Sequence, residues 1–243
     1  MAILTSYLPS RGQFHKDPTE SIEVTPLGVD GLQLMSEACS NDDATAYMEA
    51  IQMCTTVNVY DLPTPDFVAI AAEVRCLTFK DTPICADYTC TAPKFIHDGQ
   101  VITKEDLEQV LDVSEVSISE CNTEVYQEFN VATLPTTYLP EDFVMPEGLS
   151  IPRASNYAEY VELSRNPSYR KMLPALQWIA AGKTLSDKLD FLRNQGNLNL
   201  FDLASKTNSE NPFGLHKHIV TECSSCGTLA KTQLQISQYS FFR

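Results

Sequence analysis

The tightest constraint in this 243-residue chain is a short one: Cys223-Ser-Ser-Cys226-Gly227, set between the strand-like runs KHIVTE and TLAKTQLQIS. Two cysteines three residues apart in a tight turn aim two thiolates at one point. The glycine behind them supplies the left-handed backbone such a turn needs. This is the pattern of a zinc knuckle, and one knuckle gives only two of the four ligands that a structural zinc takes. The chain has eight cysteines from which to draw the others. Cys39 and Cys54 fall in helical apolar patterns and Cys76 follows FVAIAAEVR, where a cysteine acts as a small buried hydrophobe. Cys85, Cys90 and Cys121 lie in turn-rich or strand-like surroundings. If residues 91–120 are an insertion, their flanks join as YTC…CNTEVYQEFNV, a second strand–knuckle–strand. The expected metal ligands are therefore Cys90, Cys121, Cys223 and Cys226, with zinc the expected ion. Cys85 in place of Cys121 is the rival set, and free thiols or cross-links in an exported particle are the alternatives to a metal.

Compartment bears on that choice. The opening MAILTSYLPSRG lacks a basic start followed by a long apolar stretch, so no secretory leader is expected. Nor is there a run of 18 apolar residues that could span a bilayer. In a reducing cytosol clustered cysteines point to metal rather than disulfides. A redox CxxC would open a helix after a strand, whereas here a glycine and a strand follow.

Charge narrows the partners. With 17 Lys plus Arg against 32 Asp plus Glu, the net charge of −15 repels a nucleic-acid backbone. The imbalance is uneven: residues 1–99 carry 14 acids and 5 bases, residues 100–162 carry 13 and 2, and residues 163–243 carry 5 and 10. Such a polar molecule is suited to docking on protein partners in a preferred orientation.

Periodicity organises the rest. ILTSYL and SIEVTPL read as an antiparallel pair around the polar loop RGQFHKDPTE. Helices follow, with Asp30 expected to cap GLQLMSEA, Asp42–Asp43 to precede ATAYMEAIQMC, and Thr64 to cap a helix with Pro65 in its first position. That third helix, PDFVAIAAEVRCLTF, is apolar almost throughout and so expected to be buried on most sides. From residue 81 the texture turns to short strands, with one small helix expected at KEDLEQVL after Thr103. VSISE and VYQEFNVATL then return to strand. Four prolines from Pro135 to Pro152 mark a connection, with an edge strand expected at FVM. Beyond it NYAEYVELSRN, SYRKMLPALQWIAAG and TLSDKLDFLRNQG are helical, with Pro174 expected to kink or restart its helix. The expected fold class is α+β: a helical body with a small antiparallel β region joined by a pair of zinc knuckles. The segments expected are 1–80, 81–153 and 154–243, packed as one compact unit.

No motif for catalysis emerges. Ala181-Gly182-Lys183-Thr184 imitates the end of a P-loop, but Gln177 stands where the first glycine is required and a helix precedes it. Gly182 and Thr184 are better explained as a helix end and a helix cap. His216-x-His218 places two imidazoles on one strand face with no carboxylate partner nearby in sequence. Asp42–Asp43 and Glu141–Asp142 are adjacent acids whose side chains point apart.

Taken in order, several stretches resemble the baseplate hub and hub-assembly proteins of contractile-tailed, T-even-type bacteriophages. They are Leu8-Pro9-Ser10-x-Gly12 with SIEVTPLGVDGLQLM, PDFVAIAAEVR leading to YTC, LPTTYL, LQWIAAGKTLSDKLDFL, and CSSCG with the tail from Ile236 to Phe242. The resembling parts span nearly the whole chain. The departure is the 30 residues between Cys90 and Cys121, where that family tends to have a compact pair. The resemblance implies a non-enzymatic structural or assembly role and a place in a hetero-oligomeric assembly with other tail and baseplate proteins. It also implies assembly in the host cytoplasm, with the virion as destination. Tyr239, Phe241 and Phe242, clustered in the last five residues, would serve as an interface anchor or fold back on the chain's own core. The competing class is a cytosolic zinc-binding adaptor or enzyme unrelated to phage.

Overall fold

A computed structural model describes residues 1–80, 84–102, 116–129, 134–196, 198–215 and 218–233. The fold is α+β. It divides into two compact units that interleave along the chain. The first holds residues 1–80, 134–196 and 198–215; the second holds 84–102, 116–129 and 218–233. The three successive segments expected from sequence do not describe this division. The knuckle hairpin near residue 225 is grouped with residues 84–129 instead of closing the helical block. The small helix at KEDLEQVL, His216 and the aromatic cluster Tyr239, Phe241 and Phe242 lie outside the described residues.

In the first unit, β1 (Ala2–Leu4) pairs antiparallel with β2 (Ser21–Glu23), Ile3 opposite Ile22. α1 (Val29–Asn41) starts two residues earlier than expected: Gly28 holds the cap position, and Asp30 sits within the first turn, where its charge meets the helix dipole. α2 (Ala44–Gln52) is capped by Asp43, whose carboxylate accepts from the N–H groups of Thr45 and Ala46. α3 (Thr64–Phe79) buries residues all round, as its near-continuous apolar run requires. Its cap position belongs to Pro63, not Thr64, and the Thr64 hydroxyl is buried with no partner among the described residues. Tyr47 of α2, Phe67 of α3 and Tyr157 stack edge-on in the core between these helices.

Asp66 lies in the first turn of α3. Its fully buried carboxylate accepts from the Ser10 backbone N–H at 2.8 Å, the Ser10 hydroxyl at 2.5 Å and His15 Nε2 at 2.7 Å. Three donors from one loop thus converge on the first turn of α3 and pin residues 10–15 to it. A buried charge is tolerable only when saturated in this way.

The rest of this unit is helical. The expected edge strand at 143–145 does not form. Instead β8 (Thr136–Thr137) pairs with β9 (Gly214–Leu215), Phe143 packs on Phe14 and Trp178, and Val144 is 82% exposed. α4 (Tyr157–Ser164) and α5 (Pro167–Arg170) precede α6 (Leu173–Leu176), where Pro174 restarts the helix. α7 (Leu185–Gln195) opens with a capping box between Thr184 and Asp187, and Glu159 of α4 accepts from the N–H groups of Leu185 and Ser186. Gly182 has a φ of +84°, and a Cβ there would lie 2.7 Å from Asp187, so this turn admits glycine alone. α8 (Leu198–Glu210), absent from the sequence reading, places Ala204 in a core with Leu139, Ile151, Leu173, Leu176, Trp178, Ile179 and Leu185.

Lys188 of α7 is only 4% exposed, and its Nζ donates to the Gln177 carbonyl at 3.0 Å. Burial pulls its pKa down to about 8, against a partial counter-pull from Glu159. The unfolded lysine, near 10.5, therefore holds its proton where the folded one has lost it. Stability must rise as pH increases from about 8 to about 10.5, by about 1–3 kcal/mol. In Lys188→Met this rise should be missing when denaturation midpoints are compared at pH 7 and pH 10. An equal rise in both proteins would refute the assignment.

Candidate metal centre

The second unit is built from antiparallel ladders. β3 (Ile84–Cys90) runs against β7 (Thr123–Phe129) with Cys90 opposite Thr123. Between them, β4 (Pro93–His97) pairs with β5 (Gln100–Ile102) across an Asp98-Gly99 turn in which both residues have positive φ. β6 (Ser117–Glu120) pairs with the other edge of β4, Pro93 opposite Glu120. That last pairing closes the neck of the insertion. It returns Cys121 to the end of β3, and the Cys121 N–H donates to the Ala92 carbonyl at 3.0 Å. The two flanks of residues 91–120 thus meet as expected, because β4 and β6 zip the ends together.

The second pair of thiols comes from the hairpin of β10 (His218–Glu222) and β11 (Leu229–Gln233). Glu222 faces Leu229, and the turn between them is locked by Gly227 N–H to Cys223 carbonyl at 2.8 Å and Cys223 N–H to Thr228 carbonyl at 3.0 Å. Gly227 takes a φ of +68°, the left-handed conformation expected of it. β11 also lies against β3, so the two turns share one end of the unit.

There the four sulfurs of Cys90, Cys121, Cys223 and Cys226 all lie within 4.8 Å of one another. Cys90 and Cys226 approach to 3.7 Å, Cys121 and Cys223 to 3.6 Å. A zinc tetrahedron with bonds of about 2.3 Å has sulfur–sulfur edges of about 3.8 Å, whereas a disulfide brings sulfurs to about 2.05 Å. The spacing therefore fits a four-thiolate ion and not a pair of cross-links. Cys90, Cys121 and Cys223 are buried and Cys226 half-buried, packed with Val125 and Ala92.

The local electrostatics favour a cation. The Thr123 hydroxyl and backbone N–H, with the Cys223 and Cys226 thiols, hold the Cys121 pKa down to about 6. At Cys90 the Ala92 N–H favours the thiolate, but burial and hydrogen bonding with the other three thiols outweigh it and push the pKa up to about 12. Cys121 thus favours its thiolate and Cys90 its protonated thiol. A bound divalent cation relieves that conflict by replacing protons. Lys94 on β4 donates to the Ser225 hydroxyl at 3.2 Å, bringing a positive charge to the knuckle tip. Thr123, Ala92 and Lys94 were not legible as supporting groups, because only the register places them there.

The structure brings together the four cysteines of the expected set. Cys85 stands five residues before Cys90 on β3, opposite Glu128, so its backbone is about 17 Å up the strand from the cluster end. Cys39 lies in α1 and Cys76 in α3, both half-buried, and Cys54 is buried just after α2 with its pKa raised by burial to about 11. His218 begins β10 opposite Gln233. Among the acidic pairs, Asp43 caps α2, Asp42 pairs with Arg165, and Glu141 pairs with Arg11. No helix among the described residues is long and apolar enough to cross a membrane. No family model, curated protein or solved structure matches the chain.

Proposed function

We propose that this chain is a non-enzymatic structural or assembly component of a phage tail baseplate, acting through protein–protein contacts. In this reading its β unit is held by a zinc ion on Cys90, Cys121, Cys223 and Cys226. The observation that carries the proposal is the four-thiol cluster assembled from two hairpins. Four thiolates satisfy tetrahedral zinc completely, so the ion would fasten chain segments and have no open position for water or substrate. Soft sulfur ligands in that geometry select zinc over magnesium or calcium. The baseplate assignment is supported by the sequence resemblance, which covers both units, and by the acidic charge, which disfavours nucleic acid as partner.

Tagged full-length chain produced together with the other tail proteins of its phage should co-purify with at least one of them as a stable complex. Mass spectrometry of purified virions would then say whether it stays in the particle. A chain that binds none of them, and instead shows turnover dependent on its metal, would overturn the proposal.

A further inference from the structure

We infer that the cysteine centre is also a site of oxidative modification, at which a hydroperoxide attacks Cys226 first and the chain responds by joining Cys90 to Cys226 and Cys121 to Cys223. This rests on the metal reading above. Of the four sulfur-bearing residues only Cys226 is more than marginally open to solvent; Cys90, Cys121 and Cys223 are buried. An oxidant therefore meets Cys226 before the others. The nearest sulfur with which Cys226 makes contact is that of Cys90, at 3.7 Å, while Cys223 is engaged by Cys121 at 3.6 Å.

The chemistry balances. One hydroperoxide takes an electron pair from the Cys226 thiolate, leaving a sulfenic acid on that sulfur and releasing hydroxide (or alkoxide). The Cys90 thiolate then attacks the sulfur, the S–S bond forms, the S–O bond breaks, and a hydroxide leaves. With two ligands gone the ion is lost, and Cys121 and Cys223 repeat the sequence with a second hydroperoxide. Both links cross between the hairpins, spanning 136 and 102 residues. The β unit therefore stays tied together after the ion has gone. A link within the knuckle, Cys223 to Cys226, would instead free the two hairpins from each other.

The test uses the full chain, purified reduced, with its zinc content measured. Hydrogen peroxide is added stepwise, released zinc is read with a chromogenic chelator, remaining thiols are alkylated, and non-reduced peptides are mapped by mass spectrometry. The expected result is loss of all bound zinc and of half the eight thiols at two equivalents of peroxide. The Cys90–Cys226 peptide should appear first and the Cys121–Cys223 peptide second. A Cys223–Cys226 link, sulfinic acid without disulfide, or zinc and thiols intact at a tenfold excess would each overturn the inference. If the purified chain holds no zinc, the metal reading fails, yet the same peptide map still decides the pairing.

Discussion

Cys223→Ser should abolish metal binding and unfold the β unit while leaving the helical unit folded. The two units do not depend on the same forces. In the helical unit Leu139, Leu149, Ile151, Leu173, Leu176, Trp178, Ile179 and Leu185 make a large apolar core. In the β unit the core cluster among the described residues is Cys90, Cys121, Cys223 and Val125, with Ala92 and Cys226 against it. At the centre itself it is sulfur, not a cluster of large aliphatic side chains, that these described residues pack together. A structural zinc contributes about 10–16 kcal/mol in small zinc-binding peptides, and here that energy would be the folding energy of the unit. Serine in place of Cys223 removes one of four ligands and leaves a hydroxyl buried against three thiols. Hydrogen exchange of the full chain should show residues 84–102, 116–129 and 218–233 losing protection, with residues 1–80 unchanged and Trp178 fluorescence native. Cys39→Ser, in α1, should keep both metal and protection. If Cys223→Ser retained zinc and slow exchange, the centre would not be the β unit's core.

Asp66→Ala should destabilise the helical unit by about 3–5 kcal/mol, lowering its melting temperature by roughly 10 °C. The cost arises because the Ser10 N–H, the Ser10 hydroxyl and His15 Nε2 all lose the one acceptor they share, in a place water does not reach. Loop 10–15 should then detach from the start of α3. Ser10→Ala removes only one of the three bonds, and should cost about 1 kcal/mol. Urea unfolding followed at Trp178 measures both. A loss below 1 kcal/mol for Asp66→Ala would mean that the network does not hold the loop.

The sequence disclosed features whose cause is local. The left-handed turn at Gly227, the cap at Asp43, the capping box at Thr184 and the buried face of α3 are all set by residues within a few positions of one another. Even the second half of the metal set could be inferred, since Cys90 and Cys121 carry strand-like flanks that match a knuckle once residues 91–120 are looped out. What escaped depends on distant pairing. Asp66 looks like an ordinary first-turn acid, and nothing near it in the chain announces Ser10 and His15 as partners. FVM has the composition of a strand, but Phe143 is drawn into an aromatic row with Phe14 and Trp178, and β8 pairs with β9 instead. α8 is as amphipathic as α1, but LNLFDLASKTNSE follows closely on the Gly196 turn, where the helical pattern of α7 stops. The interleaving of the two units was hidden because it rests on distant pairing: the hairpin at 218–233 is grouped with strands that end at Phe129 or earlier.

The central claim is that four thiolates from two hairpins hold one metal ion, and one measurement addresses it directly. Full-length protein produced in a reducing cytosol should be analysed for metal content and by X-ray absorption at the zinc edge. The account predicts about one zinc per chain, surrounded by four sulfurs at about 2.3 Å. Wild-type protein with no metal and free thiols, or with a disulfide between Cys223 and Cys226, would contradict it.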